Sequence, residues 1–217
     1  MVKKREHLMD LNGAALLVID LQNDFCSGGS LPVREGDRVV PVVNRIAPLF
    51  PAAVATQDWH PEGHVSFASS HRGKEEFDVV EAGGIRQVLW PEHCVQGTEG
   101  AALHPALDLR PYRMILRKGT RKDLDSYSAF FENDGSTPTG LSAYLRGLGI
   151  GAVYLAGLAT DFCVCCSAMD ALRLGFRTVL VGDAVRGVDL PAGSVARALE
   201  RMRRAGVLNV ASAELTA

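Results

Sequence analysis

The sequence lacks the features that place a chain in a membrane or on a nucleic acid. None of its apolar runs approaches the roughly twenty residues that a bilayer-spanning helix needs. Its formal net charge is only −2, with acidic and basic residues mixed along the chain, so no nucleic acid or membrane partner is expected. The start of the chain is basic but has no apolar signal-peptide core, which predicts a cytoplasmic location.

Cysteine is scarce and odd in number, which argues against a disulfide framework. The five cysteines include the cluster "CVCC" at 163–166, and cytoplasmic thiols normally stay reduced. The cluster lacks the paired C-x-x-C spacing of zinc or thioredoxin-type sites. A redox sensor is the least favoured interpretation, because adjacent thiols on a helix are poorly placed for an unstrained disulfide.

Short aliphatic runs alternate with helical patterns along the chain. Continuous aliphatic runs are typical of strands whose sheet is covered on both faces. The pattern predicts a three-layer α/β/α sandwich around a mostly parallel six-stranded sheet, in one domain over residues 1–217. Segment 60–111 has poor periodicity and predicts a long functional loop. The predicted strands are 14–20, 52–58, 113–119, 151–159, 176–184 and, more weakly, 207–212; the predicted helices are 37–50, 139–149, 160–175 and 192–206.

Reactive side chains follow the carboxyl ends of the predicted strands, where open α/β sheets bind ligands. Asp20, Lys118 and Cys163 follow the first, third and fourth strands, and Asp183 ends the fifth. A cysteine nucleophile needs a proton acceptor or a nearby positive charge, which Asp20 and Lys118 could supply. Taken singly, Asp20 is equally compatible with a turn cap and Lys118 with a solvated surface lysine.

Cys163 differs from its two neighbours in its predicted place on the helix. Thr160 or Asp161 is expected to cap that helix, which puts Cys163 in the first turn, where the helix dipole favours a thiolate. Cys165 and Cys166 are rotated or set deeper along the helix, so both are expected to be core side chains.

The segment "DWHPEGH" suggests a metal site. Asp58 and His60 lie two residues apart, so both can project from one extended strand end toward a single ion. His64 or His93 could provide a third ligand, and the spacing does not choose between them. Histidine with carboxylate suits Zn²⁺, Fe²⁺ or Mn²⁺. The alternative is that these side chains only satisfy loop backbone groups.

Five segments together resemble the nicotinamidases (pyrazinamidases) of the isochorismatase-like cysteine hydrolase superfamily. They occur in the family's order and span most of the chain. The segments are "ALLVIDLQNDFCSGGSLPV" (15–33), "ATQDWHPEGHVSFA" (55–68), "WPEHCVQGTEGA" (90–101), "LRKGT" (116–120) and "GLATDFCVCCSAMDALRLGF" (157–176).

The resemblance implies a role for each matching residue. Asp20, Lys118 and Cys163 would be the catalytic triad. Asp58, His60 and His93 would bind the metal, with His64 as an outer or extra contact. The backbone N–H groups of Ala159 and Cys163 would form the oxyanion hole, after a cis peptide at Leu158–Ala159, and the aromatic pocket would be Phe25, Trp90 and Tyr127.

The activity implied is hydrolysis of nicotinamide and pyrazinamide-like aromatic amides to the acid and ammonia through a cysteine thioester. One divalent ion (Zn, Fe or Mn) and a small aromatic amide are the expected cofactor and partner, and a homo-oligomer is left open. The alternative is a related cysteine amidohydrolase acting on an N-carbamoyl substrate, which would lack the metal-binding histidines. Cys163 disfavours an isochorismatase, and the intact triad disfavours a non-catalytic binding protein.

Overall fold

The computed structural model describes residues 11–216; residues 1–10, considered above for a signal peptide, lie outside the described part. Six strands run parallel in one sheet, and two more form a separate ribbon described below. Each predicted strand is confirmed to within two residues. The strands of this sheet are β1 (Ala14–Ile19), β2 (Ala52–Asp58), β5 (Tyr112–Lys118), β6 (Ala152–Leu158), β7 (Arg177–Arg186) and β8 (Leu208–Val210). With all eight numbered along the chain, the order across the main sheet is β5, β2, β1, β6, β7 and β8.

Helices cover both faces of the sheet, as the sequence predicts. Alternate side chains of β1 point to opposite faces: Leu16 packs in the core beneath the first helix, and Leu17 in the core beneath the other three. No helix within residues 11–216 is both long and apolar enough to cross a bilayer. The helices are α1 (Val39–Ile46), α2 (Leu141–Gly147), α3 (Cys165–Arg173) and α4 (Ser194–Ala205).

The segment predicted as one long loop contains a second, small sheet. Strands β3 (Val79–Ala82) and β4 (Ile85–Val88) form an antiparallel hairpin, with Val79 opposite Val88. The side chains of β3 alternate between exposed and half-buried positions. Because so little of this ribbon is buried, its sequence lacks the aliphatic run by which the strands of the main sheet are recognised.

Strands β1 and β6 approach most closely just before the reactive residues. Gly157 has a φ of 110° and lies in β6 opposite Ile19, the residue before Asp20. A Cβ atom at Gly157 would overlap the backbone carbonyl oxygen of Ile19. The close packing of the two strand ends therefore requires glycine at this position.

Gly157→Ala is expected to lower the free energy of unfolding by more than about 2 kcal/mol, because the methyl group meets backbone and the φ is unfavourable for alanine. Urea denaturation measures the loss. Gly151→Ala is the matched control: Gly151 immediately precedes β6, and its added Cβ would have no atom within 4 Å. An equal loss in both variants would contradict this account of Gly157.

Candidate active site

Lys118 lies at the centre of a buried cluster of charged groups at the carboxyl edge of the sheet. Its Nζ is 2.9 Å from Asp20 Oδ2 and 2.5 Å from Asp58 Oδ1. The same ammonium donates to the carbonyl oxygen of Ser126 at 2.9 Å and to Cys163 Sγ at 3.4 Å. Lys118 is only 2% exposed, which excludes the alternative of a solvated surface lysine.

Asp20 is held in place by Thr56 of the neighbouring strand. Thr56 Oγ1 donates to Asp20 Oδ1 at 2.5 Å, and the Asp20 backbone N–H donates to Thr56 Oγ1 at 3.1 Å. Burial raises the pKa of Asp20 to about 6, even though Lys118 lowers it. A pKa near 6 is suitable for a proton acceptor that works around neutral pH.

Cys163 lies in a π-helical turn, Thr160–Val164, between β6 and α3. The residue at the start of this turn is Ala159, with extended backbone, so the prediction that Thr160 or Asp161 caps the helix is wrong. The Asp161 carboxylate instead accepts from the N–H groups of Val188 and Asp189 and from Ser194 Oγ. It therefore ties the loop after β7 to the turn that carries Cys163.

Burial has a larger effect on the protonation of Cys163 than the charges around it. Burial raises the pKa of its thiol well above the usual value, although Lys118 lowers it. The thiol is therefore the resting form, and the helix-end position does not by itself generate a thiolate. A base is needed, and an oxygen of Asp20 lies within 4.8 Å of Cys163 Sγ.

Asp58, His60 and His93 come together beside this cluster. One potential ligand atom from each residue lies within 4.8 Å of the other two, and all three side chains are buried. His60 Nδ1 donates to the carbonyl oxygen of Gly119 at 2.9 Å, and His93 Nδ1 donates to that of Pro91 at 2.8 Å. Because the carbonyls fix both Nδ1 atoms as donors, each Nε2 keeps its lone pair.

The electrostatics of the two histidines also suit a metal ion. Burial lowers the pKa of His60 and of His93 to about 4, so both rings are neutral at neutral pH. Neutral imidazole is the form that binds a cation. The position of the His60 ring also requires glycine at 119, because a Cβ atom there would collide with the ring.

His64 lies behind His60 instead of beside the other two residues. The two rings stack with centroids 4.1 Å apart. Nδ1 of His64 is 2.7 Å from Ser66 Oγ, and Nε2 is 3.4 Å from the carbonyl oxygen of Leu124. Both ring nitrogens thus face protein groups, so of the two candidates that the sequence left open, His93 has the free lone pair.

One cavity opens onto both clusters. All three residues predicted to form its aromatic wall line the cavity. Trp90 Nε1 donates to the Tyr127 hydroxyl at 3.0 Å, and the Phe25 ring lies 5.5 Å from the His93 ring. The peptide bond Leu158–Ala159 is cis, as the resemblance implies. The cavity is lined by Phe25, Leu31, Asp58, His60, Trp90, His93, Asp125, Tyr127, Ala159, Phe162, Cys163 and Val188.

Several residues of the site were not identified from the sequence. Thr56 could have been found, because it precedes Asp58 by two positions in a strand and so shares its face. Asp125, Phe162 and Val188 lie in loops or irregular turns, whose side-chain directions have no simple period.

Asp183 does not join the site. Its carboxylate accepts from the backbone N–H and hydroxyl of Ser212, close to the carboxyl end of the chain. The pairing register between β6 and β7 shifts after Leu155. This irregularity lets β7 extend past Asp183, so the residue is not at a strand end.

Residues 14–214 match the isochorismatase domain. The chain belongs to the isochorismatase family. Among its curated relatives in this family is the nicotinamidase of Acinetobacter baylyi, with 47% identity over 201 residues that cover 93% of this chain and 94% of that protein.

Solved structures of the isochorismatase family share the fold. The Acinetobacter baumanii nicotinamidase/pyrazinamidase has 46% identity and a TM-score of 0.92, covering 94% of this chain and 98% of that one. PnC1 from L. infantum, in complex with nicotinate, has 36% identity and a TM-score of 0.84, covering 96% and 97%. The Pyrococcus horikoshii pyrazinamidase, in complex with zinc, has 39% identity and a TM-score of 0.76, covering 92% and 99%.

Proposed function

We propose that this chain is a nicotinamidase, which hydrolyses nicotinamide and pyrazinamide-like aromatic amides to the carboxylic acid and ammonia. The observation that carries the proposal is the contact of Lys118 with both Asp20 and Cys163, where Cys163 lines an aromatic-walled cavity together with Asp58, His60 and His93. Identity of 47% to a nicotinamidase over nearly the whole chain supports it. Ammonia release from nicotinamide by the purified protein, with pyrazinamide and an N-carbamoyl amine in the same panel, tests it directly.

In the acylation step, Asp20 takes the proton of the Cys163 thiol, and the sulfur attacks the carboxamide carbon. The ammonium of Lys118, in contact with both groups, stabilises the thiolate as it forms. The oxyanion is bound by the backbone N–H groups of Ala159 and Cys163, two residues that line the cavity. Protonated Asp20 then gives its proton to the departing ammonia, and a thioester remains on Cys163.

In the deacylation step, water replaces ammonia next to Asp20. Asp20 again acts as base, the water oxygen adds to the thioester carbon, and the carbon–sulfur bond breaks. The acid leaves and Cys163 regains its proton. Asp20 thus alternates between base and acid, which a carboxyl group with a pKa of about 6 can do near neutral pH.

Asp58, His60 and His93 would hold one divalent ion. The free Nε2 lone pairs of two neutral imidazoles and a neighbouring carboxylate fit such an ion. When bound, the ion would bind the pyridine nitrogen of the substrate and so fix the ring, a contribution to positioning. Zinc, iron and manganese all suit this donor set.

Removal of the metal is expected to reduce kcat/KM for nicotinamide by at least about tenfold, because the ring loses its anchor while the triad remains. Dialysis against a chelator, with the bound metal quantified, measures the effect. Adding back Zn²⁺, Fe²⁺ or Mn²⁺ separately should restore activity and rank the three ions. Full activity in protein shown to be metal-free would contradict this role.

The pH dependence is expected to follow Asp20. Because only ionised Asp20 can accept the thiol proton, kcat/KM should rise with pH through an inflection near the pKa of about 6. The profile is measured at constant ionic strength, with bound metal assayed at each pH. The metal assay is necessary because His60 and His93 have pKa values of about 4. In more acidic solution both would be protonated and would release the metal. A flat profile between pH 5 and 7.5 would contradict Asp20 as the base.

The related cysteine amidohydrolase acting on an N-carbamoyl substrate is less well supported. Such an enzyme would share Asp20, Lys118 and Cys163, but the resemblance implies no need for the histidine pair. Release of ammonia from the N-carbamoyl amine in the panel, with none from nicotinamide, would favour it.

We also propose that residues 1–217 form one domain, supported by the family match over 14–214. The proposed partner is a small aromatic amide, and the proposed location is the cytoplasm, where all five thiols would stay reduced.

A further inference from the structure

Asp125 is a buried carboxylate that the triad and the metal ligands leave without a role. It is 4% exposed and lines the same cavity as Asp58, His60 and His93. It follows β5 by seven residues, in a loop that Lys118 anchors through the carbonyl oxygen of Ser126. An ionised side chain is costly to bury, so its place in the cavity calls for a partner of opposite charge.

The protein supplies few partners for this carboxylate. Oδ1 accepts from the Ser126 backbone N–H at 2.7 Å, and Oδ2 accepts from Gln87 Nε2 at 2.9 Å. Two carboxylate oxygens offer about four acceptor positions, so acceptor capacity remains. Among residues 11–216, Asp125 makes no ion pair with a lysine or arginine within 4 Å.

The nearest groups that could share a cation with Asp125 are His60, one of the proposed metal ligands, and His64, which stacks behind it. An oxygen of Asp125 and ring nitrogens of His60 and His64 lie within 4.8 Å of one another, and all three residues are buried. His60 therefore belongs to two overlapping clusters, one with Asp58 and His93 and the other with His64 and Asp125.

The charge of the whole site is unbalanced without a divalent ion. The buried carboxylates of Asp20, Asp58 and Asp125 carry three negative charges, against one positive charge on Lys118. One divalent cation would neutralise the excess. Asp20 and Asp58 both form ion pairs with Lys118. Within the described part of the chain, Asp125 is therefore the one of these three carboxylates that has no lysine or arginine partner.

Resting on the metal site of the proposed function, we propose that Asp125 is a positioning residue that retains the ion from outside the ligand set. Three protein ligands leave coordination positions to water or substrate. Water bound to a cation is a strong donor and needs acceptors, and the spare acceptor capacity of Asp125 lies in the same cavity. Its charge also acts on the ion at short range, in a site with little water to screen it.

The test is the affinity of the metal-free full-length protein for Zn²⁺ alone, by competition with a chromogenic chelator. Asp125→Asn keeps the volume and removes the charge, and should weaken Zn²⁺ binding by about tenfold or more, as removal of an outer-shell partner typically does. Asp123→Asn is the matched control, because Asp123 lies two residues away, is exposed and pairs with Arg121. It should change the affinity by less than about threefold.

A second variant separates charge from packing. Gln87→Met removes the hydrogen bond to Asp125 but keeps the carboxylate, so Zn²⁺ affinity should fall by less than about threefold. The proposal would be overturned if Asp125→Asn lowered the Zn²⁺ affinity by less than about tenfold, or if Gln87→Met lowered it by as much as Asp125→Asn. Circular dichroism checks folding of each metal-free variant, and Asp125→Ser, which can still accept from Ser126, carries the same test if Asp125→Asn fails to fold. Because the readout is Zn²⁺ affinity, absence of nicotinamide hydrolysis would refute the proposed function without bearing on Asp125.

Discussion

Cys163→Ala is expected to abolish ammonia release from nicotinamide, with a loss in kcat of at least about 10⁴-fold. The alanine has no sulfur to form the thioester, and the neighbouring Lys118 and Asp20 cannot replace a nucleophile. The metal ligands come from other strands and loops, so bound metal should stay at the wild-type level. Ammonia release and metal content, measured on the same preparation, check both expectations.

The control for this substitution lies two residues further along the chain. Cys165 is buried in the core beneath α2, α3 and α4 and does not line the cavity. Cys165→Ala should therefore keep kcat within about threefold while costing some stability through lost packing. If Cys163→Ala turned over nicotinamide at the rate of Cys165→Ala, the nucleophile would have to be sought elsewhere.

Lys118→Met is expected to remove activity and also to destabilise the protein. The substitution keeps an unbranched side chain but leaves Asp20 and Asp58 as buried carboxylates without their shared cation. Breaking a buried ion pair by removing one partner typically costs about 3–5 kcal/mol. Urea denaturation at several pH values, alongside the nicotinamide assay, measures the two effects.

The sign of the pH dependence identifies the cause of this destabilisation. Burial already raises the pKa values of Asp20 and Asp58 in the folded protein, and without Lys118 both should rise further above that of the unfolded chain. The folded state then binds more protons, so the stability of the variant falls as pH rises from about 4 through the folded-state pKa. Arg113→Met, on the exposed side of the same strand, should show only the smaller trend of the wild-type protein, in which the pKa of Asp20 is about 6. A pH-independent loss in Lys118→Met would indicate packing instead of charge.

The sheet could be predicted because its four central strands, β2, β1, β6 and β7, are short, largely aliphatic runs covered on both faces. The edge strands β5 and β8 are partly exposed and carry a weaker pattern. The same pattern located Asp20, Lys118 and Cys163, since side chains that follow parallel strands must meet at one edge. Family resemblance was needed to choose His93 over His64, because their positions depend on loop geometry. The structure adds the reason: the His64 nitrogens face Ser66 and Leu124, and His93 keeps Nε2 free.

Sequence reasoning failed where long-range contacts decide the role of a residue. Aspartate is a residue type that often caps helices, yet the Asp161 carboxylate instead accepts hydrogen bonds from the loop at 188–194, which is distant in sequence. The helix-end position of Cys163 was expected to favour a thiolate, whereas burial raises the pKa of its thiol. Asp125 carries no local signal, because its importance arises from the histidines that the fold brings beside it.

The central claim is that turnover passes through a thioester on Cys163, and partitioning with hydroxylamine tests it most directly. Nicotinamide and methyl nicotinate would give the same thioester, so hydroxylamine should yield nicotinohydroxamate and nicotinate in the same ratio from both substrates. A ratio that depends on the leaving group would mean that water attacks the substrate directly, and the proposed mechanism would be wrong.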